Sequence, residues 1–332
     1  MSDHPLPAGK LPPPLLRALL ADAPPPPPEL RLPPRIGEDA GVIAVEGGAL
    51  IVASDPVTLT GRGVAAHAAL VNANDIAVMG ARPRWFLATV LLPMGTREGE
   101  VRALFADLHA ALGRIGAVLV GGHTEITRAV VQPVVVGQML GLRADGGFIP
   151  TGGVGVGDIV LQIGAAPVEG AAVLAVEAAG RLKAVPADVL EQARAAIDDP
   201  GISVVKPALR AAALGASAMH DPTEGGLSTG LYELAEASGV ALRVDRDAVR
   251  WFAPGVAVCA ALGADPWGVL ASGTLLAAFA PETAVAAGAV LTGEGHVVAA
   301  IAVAEPGSGV GDAAGVALPR FDSDEVARIL AD

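Results

Sequence analysis

Between Ser54 and Gly80 the chain reads SDPVTLTGRGVAAHAALVNANDIAVMG, and no other stretch limits its possible folds as much. A strand of small apolar residues ends on Asp55, a glycine-containing turn follows, and residues 62 to 80 read as a helix. Asn72 and Asp75 lie three apart on that helix, so they project from neighbouring positions on one face. Upstream, the turn Gly37-Glu38-Asp39-Ala40 adds more acid. Carboxylates thus gather on short elements, while no Gly-x-x-x-x-Gly-Lys loop exists to cradle phosphates. Such a set suits a nucleotide held mainly through Mg²⁺. Taken singly, each acid reads better as a turn-former or helix cap. It is the grouping of Asp39, Asp55 and Asp75 that points to a metal.

A rival pattern overlaps the same turn. Gly61-Arg62-Gly63-Val64-Ala65-Ala66 fits the dinucleotide fingerprint between a strand and a helix. The acid expected at the end of the next strand is missing, because that strand closes Leu91-Leu92-Pro93-Met94-Gly95. The glycine pattern alone is weak.

The 332 residues suffice for two ordinary domains. Apolar residues make up 52% but aromatic ones only 3%, so the core must be built from Ala, Val and Leu. A net charge of −13 leaves no basic stripe for phosphates and argues against nucleic-acid or anionic-membrane partners. The single cysteine, Cys259, excludes an internal disulfide and a cysteine-cluster metal site. In the run Val-Ala-Val-Cys-Ala-Ala-Leu-Gly it reads as a buried small hydrophobe. No uninterrupted apolar run reaches the roughly 18 residues of a membrane span. No basic region precedes an apolar block near Met1. The expectation is a cytoplasmic protein.

Residues 1–35 form a proline-rich arm, with one short amphipathic helix in LPPPLLRALLADA and an extended spacer at Pro24 to Pro28. Residues 36–150 open with two strands joined at Gly47-Gly48, a hairpin signal. They continue with the helix at 62–80, a strand at 85–92, a helix at 97–115 and strands at 117–120 and 130–142. The glycine-rich joint TGGVGVGD at 151–158 marks a domain boundary. The second domain, 151–306, alternates strands with helices near 168–180, 186–198, 206–214 and 225–238, and 307–332 form a tail. Hairpins mixed with helices argue α+β, with an α/β sandwich in each half, rather than a uniform βαβ series.

Two further constellations follow strands. Gly121-Gly122-His123-Thr124-Glu125 succeeds the apolar strand Ala117 to Val120 and reads as a ligand-facing loop or an ordinary strand-exit turn. His123 and Glu125 are the catalytic candidates, His123 as a general base or metal ligand. The second, His220-Asp221-Pro222-Thr223-Glu224-Gly225-Gly226, precedes a helix. Its exposed amides could hold an anion, or Asp221 or Thr223 could cap the helix, while Glu224 would repel a phosphate.

The order of these segments resembles the aminoimidazole ribonucleotide synthetase (PurM-like) superfamily, which includes hydrogenase maturation factors of the carbamoyl-dehydratase type, thiamine-monophosphate kinase and selenophosphate synthetase. The matching segments are GEDAGVI at 37–43, Ser54-Asp55, VNANDIAVMGARP at 71–83 and GGHTE at 121–125. In the second half, HDPTEGGLSTGLYELAEASGV and LGADPWGVLASGTLL are similar to the maturation-factor branch. The likeness covers about residues 35 to 305. It implies a two-domain fold, an N-terminal α/β domain that pairs with its twin in a homodimer and a C-terminal α/β domain completing an ATP cleft. It implies that Asp39, Asp55 and Asp75 hold Mg²⁺ and ATP phosphates, that Asn72 assists, and that Gly121, Gly122 and Thr124 line the cleft. It also implies activation of an oxygen of a small-molecule substrate by ATP.

The departures narrow this. Maturation factors of this type end in Pro-Arg-Ile-Cys, whose cysteine is carbamoylated and dehydrated; here Pro319-Arg320 leads to Phe321-Asp322. Selenophosphate synthetases carry a reactive cysteine and a lysine near the start, and here only Lys10 stands in the arm. The expectation is an Mg²⁺-ATP-dependent enzyme with another substrate, or a non-catalytic nucleotide-binding or scaffold protein of the same fold.

Overall fold

Helix α2 (Val64–Val78) is apolar almost all round, and it can only be so because structure covers it on every side. The computed structural model describes residues 10–58 and 63–331. Gly61 and Arg62 of the glycine pattern lie outside the described residues, as do the first nine residues of the arm. In the arm, α1 (Pro13–Ala21) forms with prolines at its start, and no regular structure follows at Pro24 to Pro27.

The first sheet contains β1 (Leu30–Leu32), β2 (Gly41–Val45), β3 (Gly48–Val57), β4 (Arg82–Pro93), β5 (Val118–Thr127) and β6 (Val134–Arg143), in the order β1-β2-β3-β6-β4-β5. β2 and β3 are the expected hairpin, with Val45 opposite Gly48. Only the β4–β5 pair is parallel, and α3 (Glu98–Ile115) makes that crossover. β5 is longer than its apolar start suggested: the sheet continues through Gly121 to Glu125, so those residues are strand and not loop.

The second sheet contains β7 (Ile159–Ile163), β8 (Ala218–His220), β9 (Ala241–Val244), β10 (Leu275–Phe279), β11 (Val298–Glu305) and β12 (Gly309–Asp312), in the order β12-β9-β11-β7-β10-β8. The segment read as a tail contributes β12, which pairs parallel to β9. Helices α4 (Glu169–Glu177), α5 (Ala187–Ala195), α8 (Ala253–Leu262) and α10 (Glu325–Ala331) cluster at one side around Leu174, Leu182, Val258 and Ile329. Cys259 is buried in that cluster, and burial pushes its thiol up to about 12.

The main core runs through both halves. It joins α2 and α3 under the first sheet to α6 (Val205–Ala213), α9 (Pro281–Gly293) and one face of the second sheet. α7 (Gly226–Ser238) covers the other face with Leu227, Leu231 and Leu234. Phe86 and Phe279 are the fully buried aromatics of a core otherwise made of small aliphatic side chains. Small residues let layers approach closely: a Cβ on Gly137 of β6 would overlap the Asn72 side chain of α2. The chain thus has an α+β architecture of two sheets separated by helices.

Candidate functional site

Polar side chains are buried where the two halves meet, and α2 supplies three of them, Asn72, Asn74 and Asp75, from about one turn. Asn72 uses its whole amide on backbone: its Oδ1 accepts from Asp55 N at 2.9 Å, and its Nδ2 donates to Asp55 O at 3.1 Å and Ala68 O at 2.8 Å. It therefore fixes the end of β3 and, through it, the Asp55 carboxylate. Asn74 works in the opposite direction. Its Nδ2 donates to Ile202 O at 2.9 Å and its Oδ1 accepts from Val204 N at 2.8 Å, which ties α2 to the approach to α6. Asp75 shares a side-chain hydrogen bond with Asp55, and its Oδ2 is buried with no hydrogen-bond partner.

Asp75 faces an acidic centre. One carboxylate oxygen each from Asp39, Asp75 and Asp221 lie within 4.8 Å of one another. Both oxygens of Asp221 are buried without a partner. Burial raises the Asp75 carboxyl well above its usual range, and the neighbouring Asp55, Asp221 and Asp39 carboxylates raise it further. Burial likewise raises Asp221, with Asp39 adding to it and His220 opposing, and burial raises Asp55 against the pull of Asp75 and Lys10. Carboxylates crowded in a dry site with unsatisfied oxygens match a hard divalent cation taking oxygen ligands. The residues present suit Mg²⁺.

His220 anchors this centre from the second half. Its Nδ1 lies 2.8 Å from Asp39 Oδ1, and its Nε2 lies 3.0 Å from Glu233 Oε2 on α7. Burial opposes charge on the ring, but the Asp39 and Glu233 carboxylates outweigh it and hold the imidazole well above its ordinary value. A ring facing carboxylates on both nitrogens donates from both. Thr151 Oγ1 donates to Asp39 Oδ2 at 3.1 Å, and Thr151 N donates to Glu38 Oε2 at 3.1 Å, so the joint between the halves holds the acidic turn.

The arm returns to the site. Lys10 Nζ lies 3.3 Å from Thr223 Oγ1. Burial of the ammonium is outweighed by Glu233, Glu224, Asp55 and Asp39, which hold its affinity for the proton above normal. Lys10 is exposed as a whole residue, and its ammonium is the part that these acids act on.

Of the residues read from sequence, Asp39, Asp55 and Asp75 come together with Asn72 behind them. Gly121, Gly122, His123, Thr124 and Glu125 lie elsewhere. Asp55 pairs with Gly137, Gly137 with Ala88 and Ala88 with Gly122 across four adjacent strands. Three strand spacings separate the two places, on the order of 14 Å. His123 Nε2 lies 3.3 Å from Glu125 Oε2 on the exposed edge strand. Gly122 serves the sheet: it has φ +144°, and a Cβ there would overlap Ala88 O.

Asp221 does not cap α7; the helix starts at Gly225 without a side-chain cap. Sequence reasoning gave Asp221, His220, Glu233 and Lys10 no role in the acidic centre. The strand-then-acid pattern of Asp221 repeats that of Asp55 and could have revealed it, whereas nothing local marks Lys10. Cavity size does not point to this centre either. One surface cavity of about 490 Å³ lies between the start of α2 and α3, by Gly63, Leu92 and Asp107. Another of about 590 Å³ lies by β9 and β12. The unsatisfied carboxylates are the stronger guide.

Fold and site define a two-domain protein with an acidic centre between the halves. The AIR synthase related protein N-terminal domain matches residues 37–143 and the C-terminal domain matches residues 155–312, so the chain belongs to the AIR synthase related family. It is 28% identical over 275 residues to the carbamoyl dehydratase HypE of Bradyrhizobium diazoefficiens, covering 77% of this chain and 72% of that protein. It is 31% identical over 259 residues to the thiamine-monophosphate kinase of Mycobacterium tuberculosis, covering 71% of each. Among solved structures, the hydrogenase maturation protein HypE in complex with ATP shares the fold at a TM-score of 0.71 and 23% identity, covering 89% of this chain and 92% of that one. Among the described residues, no helix is long and apolar enough to cross a membrane.

Proposed function

We propose that this chain is an enzyme that uses Mg²⁺-ATP to phosphorylate or activate an oxygen of a small molecule. The observation that carries this reading is the convergence of Asp39, Asp75 and Asp221, with buried oxygens on Asp75 and Asp221 that no protein donor satisfies. Asp39, Asp75 and Asp221 would hold the metal. Mg²⁺ bound there supplies charge neutralisation and alignment for a transferring phosphoryl group. Asn72 keeps Asp55 beside the centre by holding its backbone from both sides. His220 fixes the orientation of Asp39, and the Lys10 ammonium is the cation placed to meet phosphate oxygens. The ATP complex of a structural neighbour and the kinase activity in the name of a relative support the same reading.

Self-cyanation chemistry is not part of the proposal. Cys259 is buried and its thiol is pushed up to about 12, so it offers no nucleophile. Calorimetry with Mg²⁺-ATP tests the reading, with Asp75→Asn as the control. Absence of heat for the unaltered chain would sink both the enzyme and a non-catalytic nucleotide binder. Binding without ADP release on any acceptor favours the binder.

A homodimer built through β5 accompanies this reading. From Val120 to Ile126 both faces of that edge strand are exposed, with Val118 at 56%, Val120 at 53% and Ile126 at 51%. An uncovered edge with apolar side chains is a template for another chain. Pairing there would give His123, Thr124 and Glu125 a partner surface. The domain division at 36–150 and 151–306 and a cytoplasmic location belong to the same proposal.

A further inference from the structure

The last segment of the chain reaches back toward the acidic centre through one side chain. After β12, residues 318 to 321 lie against α7 and the turn at Gly268. Tyr232 OH donates to Leu318 O at 2.9 Å, Ser228 Oγ donates to Pro319 O, and the Phe321 ring leaves no room for a Cβ on Gly268. α10 then buries Val326 and Ile329 among Leu174, Val258 and Leu262. Between these two anchors stands Asp324, 3% exposed. Its Oδ1 accepts from Val326 N at 2.7 Å, which caps α10, and its Oδ2 accepts from Gly225 N at 2.7 Å. Burial pushes this carboxyl up to about 6 and the backbone donors oppose the rise, so above that value both bonds go to a carboxylate.

Gly225 belongs to the far end of the loop His220 to Gly226, whose near end carries Asp221 to the acidic centre. That near end is fixed by His220, held on Asp39. The far end turns into α7 through two consecutive left-handed glycines, Gly225 at φ +81° and Gly226 at φ +67°, which give the turn little stiffness of its own. Asp221 adds no anchor between them, because both its oxygens are buried without a partner. Its carboxylate goes where the backbone puts it. Thr223 O accepts from Gly226 N at 3.1 Å and from Ala271 N at 3.3 Å, and Asp324 holds Gly225 from across 99 residues. Asp221 and Thr223 are thus suspended between two side-chain anchors, one from each end of the chain.

We propose that Asp324 is a positioning residue for the acidic centre: by holding Gly225 N it fixes the loop that presents Asp221 to the metal and Thr223 to Lys10. This rests on the nucleotide reading above. Asp324 acts through Gly225 and is not among the acids that converge to metal-ligand distances. The segment read from sequence as a tail therefore sets the shape of the site from outside it. Only a carboxylate can make both bonds. Asn keeps the α10 cap through its one oxygen but then turns its N–H₂ toward Gly225 N, and two donors do not bond.

Asp324→Asn in the full chain tests this, with Phe321→Ala as the comparison that loosens the same segment and leaves the Gly225 bond in place. Both variants should melt a few degrees lower in chelator. Only Asp324→Asn should raise amide hydrogen exchange in residues 220–226, by roughly tenfold. Only it should weaken calorimetric Mg²⁺-ATP affinity, again roughly tenfold, and change the paramagnetic resonance spectrum of Mn²⁺ bound with ATP in place of Mg²⁺. Should it fold poorly, Asp324→Ser carries the same expectation, since one hydroxyl can cap α10 but cannot also reach Gly225 N. Unchanged loop exchange overturns the inference, and so does faster exchange with unchanged Mg²⁺-ATP affinity and Mn²⁺ spectrum. An equal loss of affinity in Phe321→Ala also overturns it, because the segment would then serve only the fold. Faster loop exchange in Asp324→Asn, with no Mg²⁺-ATP binding by the unaltered chain, overturns the nucleotide reading and leaves Asp324 as the residue that holds the loop.

Discussion

His220 Nδ1 stands 2.8 Å from Asp39 Oδ1, so one ion pair joins the acidic turn of the first half to the end of β8 in the second. Its ring also meets Glu233 at 3.0 Å, and all of this is largely out of water. Removing one member of a buried charged network costs more than the network itself is worth, because the remaining charges lose their partner. His220→Ala should destabilise the chain by about 3–5 kcal/mol in denaturant unfolding. Adding Glu233→Gln to that variant should recover part of the loss. No recovery would mean that Glu233 does not depend on His220.

The acidic centre makes a prediction of opposite sign. Burial, then the carboxylates of Asp55, Asp221 and Asp39, raise the Asp75 carboxyl well above its usual range, so its ionised form is disfavoured by desolvation and by like charge. Asp75→Asn removes one acid while keeping shape. In chelator its melting temperature should exceed that of the unaltered chain by a few degrees, at roughly 2–4 °C per kcal/mol. With Mg²⁺ and ATP the order should reverse, since ligand stabilises only the chain that binds it. A variant less stable in chelator would show that Asp75 serves the fold.

Much of this was legible in the sequence, and the gaps have physical causes. β3, α2 and Asp75 could be read because an apolar run broken by an acid is a local signal. Asn72 was seen too, but its role was not: only the structure shows its amide spent on Asp55 backbone. β5 was cut short at Val120 because glycines usually end strands, whereas here Gly122 is required by the close approach of Ala88. Lys10 was invisible beside the acidic centre because it reaches its place by chain return, meeting Thr223. No local pattern encodes a contact across 213 residues.

Glu169 sets a pH dependence. Its folded carboxyl titrates near 7 against 4.5 unfolded, so the folded state prefers the protonated form. That preference favours folding fully below pH 4.5 and is lost as pH rises through 7. The loss amounts to about 3 kcal/mol at pH 8, from ~1.4 kcal/mol for each pH unit between the two values. Glu169→Gln has no proton to lose, so its unfolding free energy should exceed that of the unaltered chain at pH 8 by up to that amount. The two curves should converge below pH 4.5. Parallel curves across that range would show that Glu169 ionises normally in the fold.

The exposed edge of β5 gives the last test. Val120 is 53% exposed on a strand bonded only along its β4 side, so a lysine there should leave the isolated fold within about 0.5 kcal/mol of its original stability. If two copies meet along this edge, the same lysine places a charge in the joint from each side, and like charges directly opposed repel. Light scattering at micromolar concentration should give a dimer for the unaltered chain and a shift toward monomer for Val120→Lys. A lysine variant that stays dimeric would move the interface away from β5, and with it any role for His123 and Glu125 that depends on a partner.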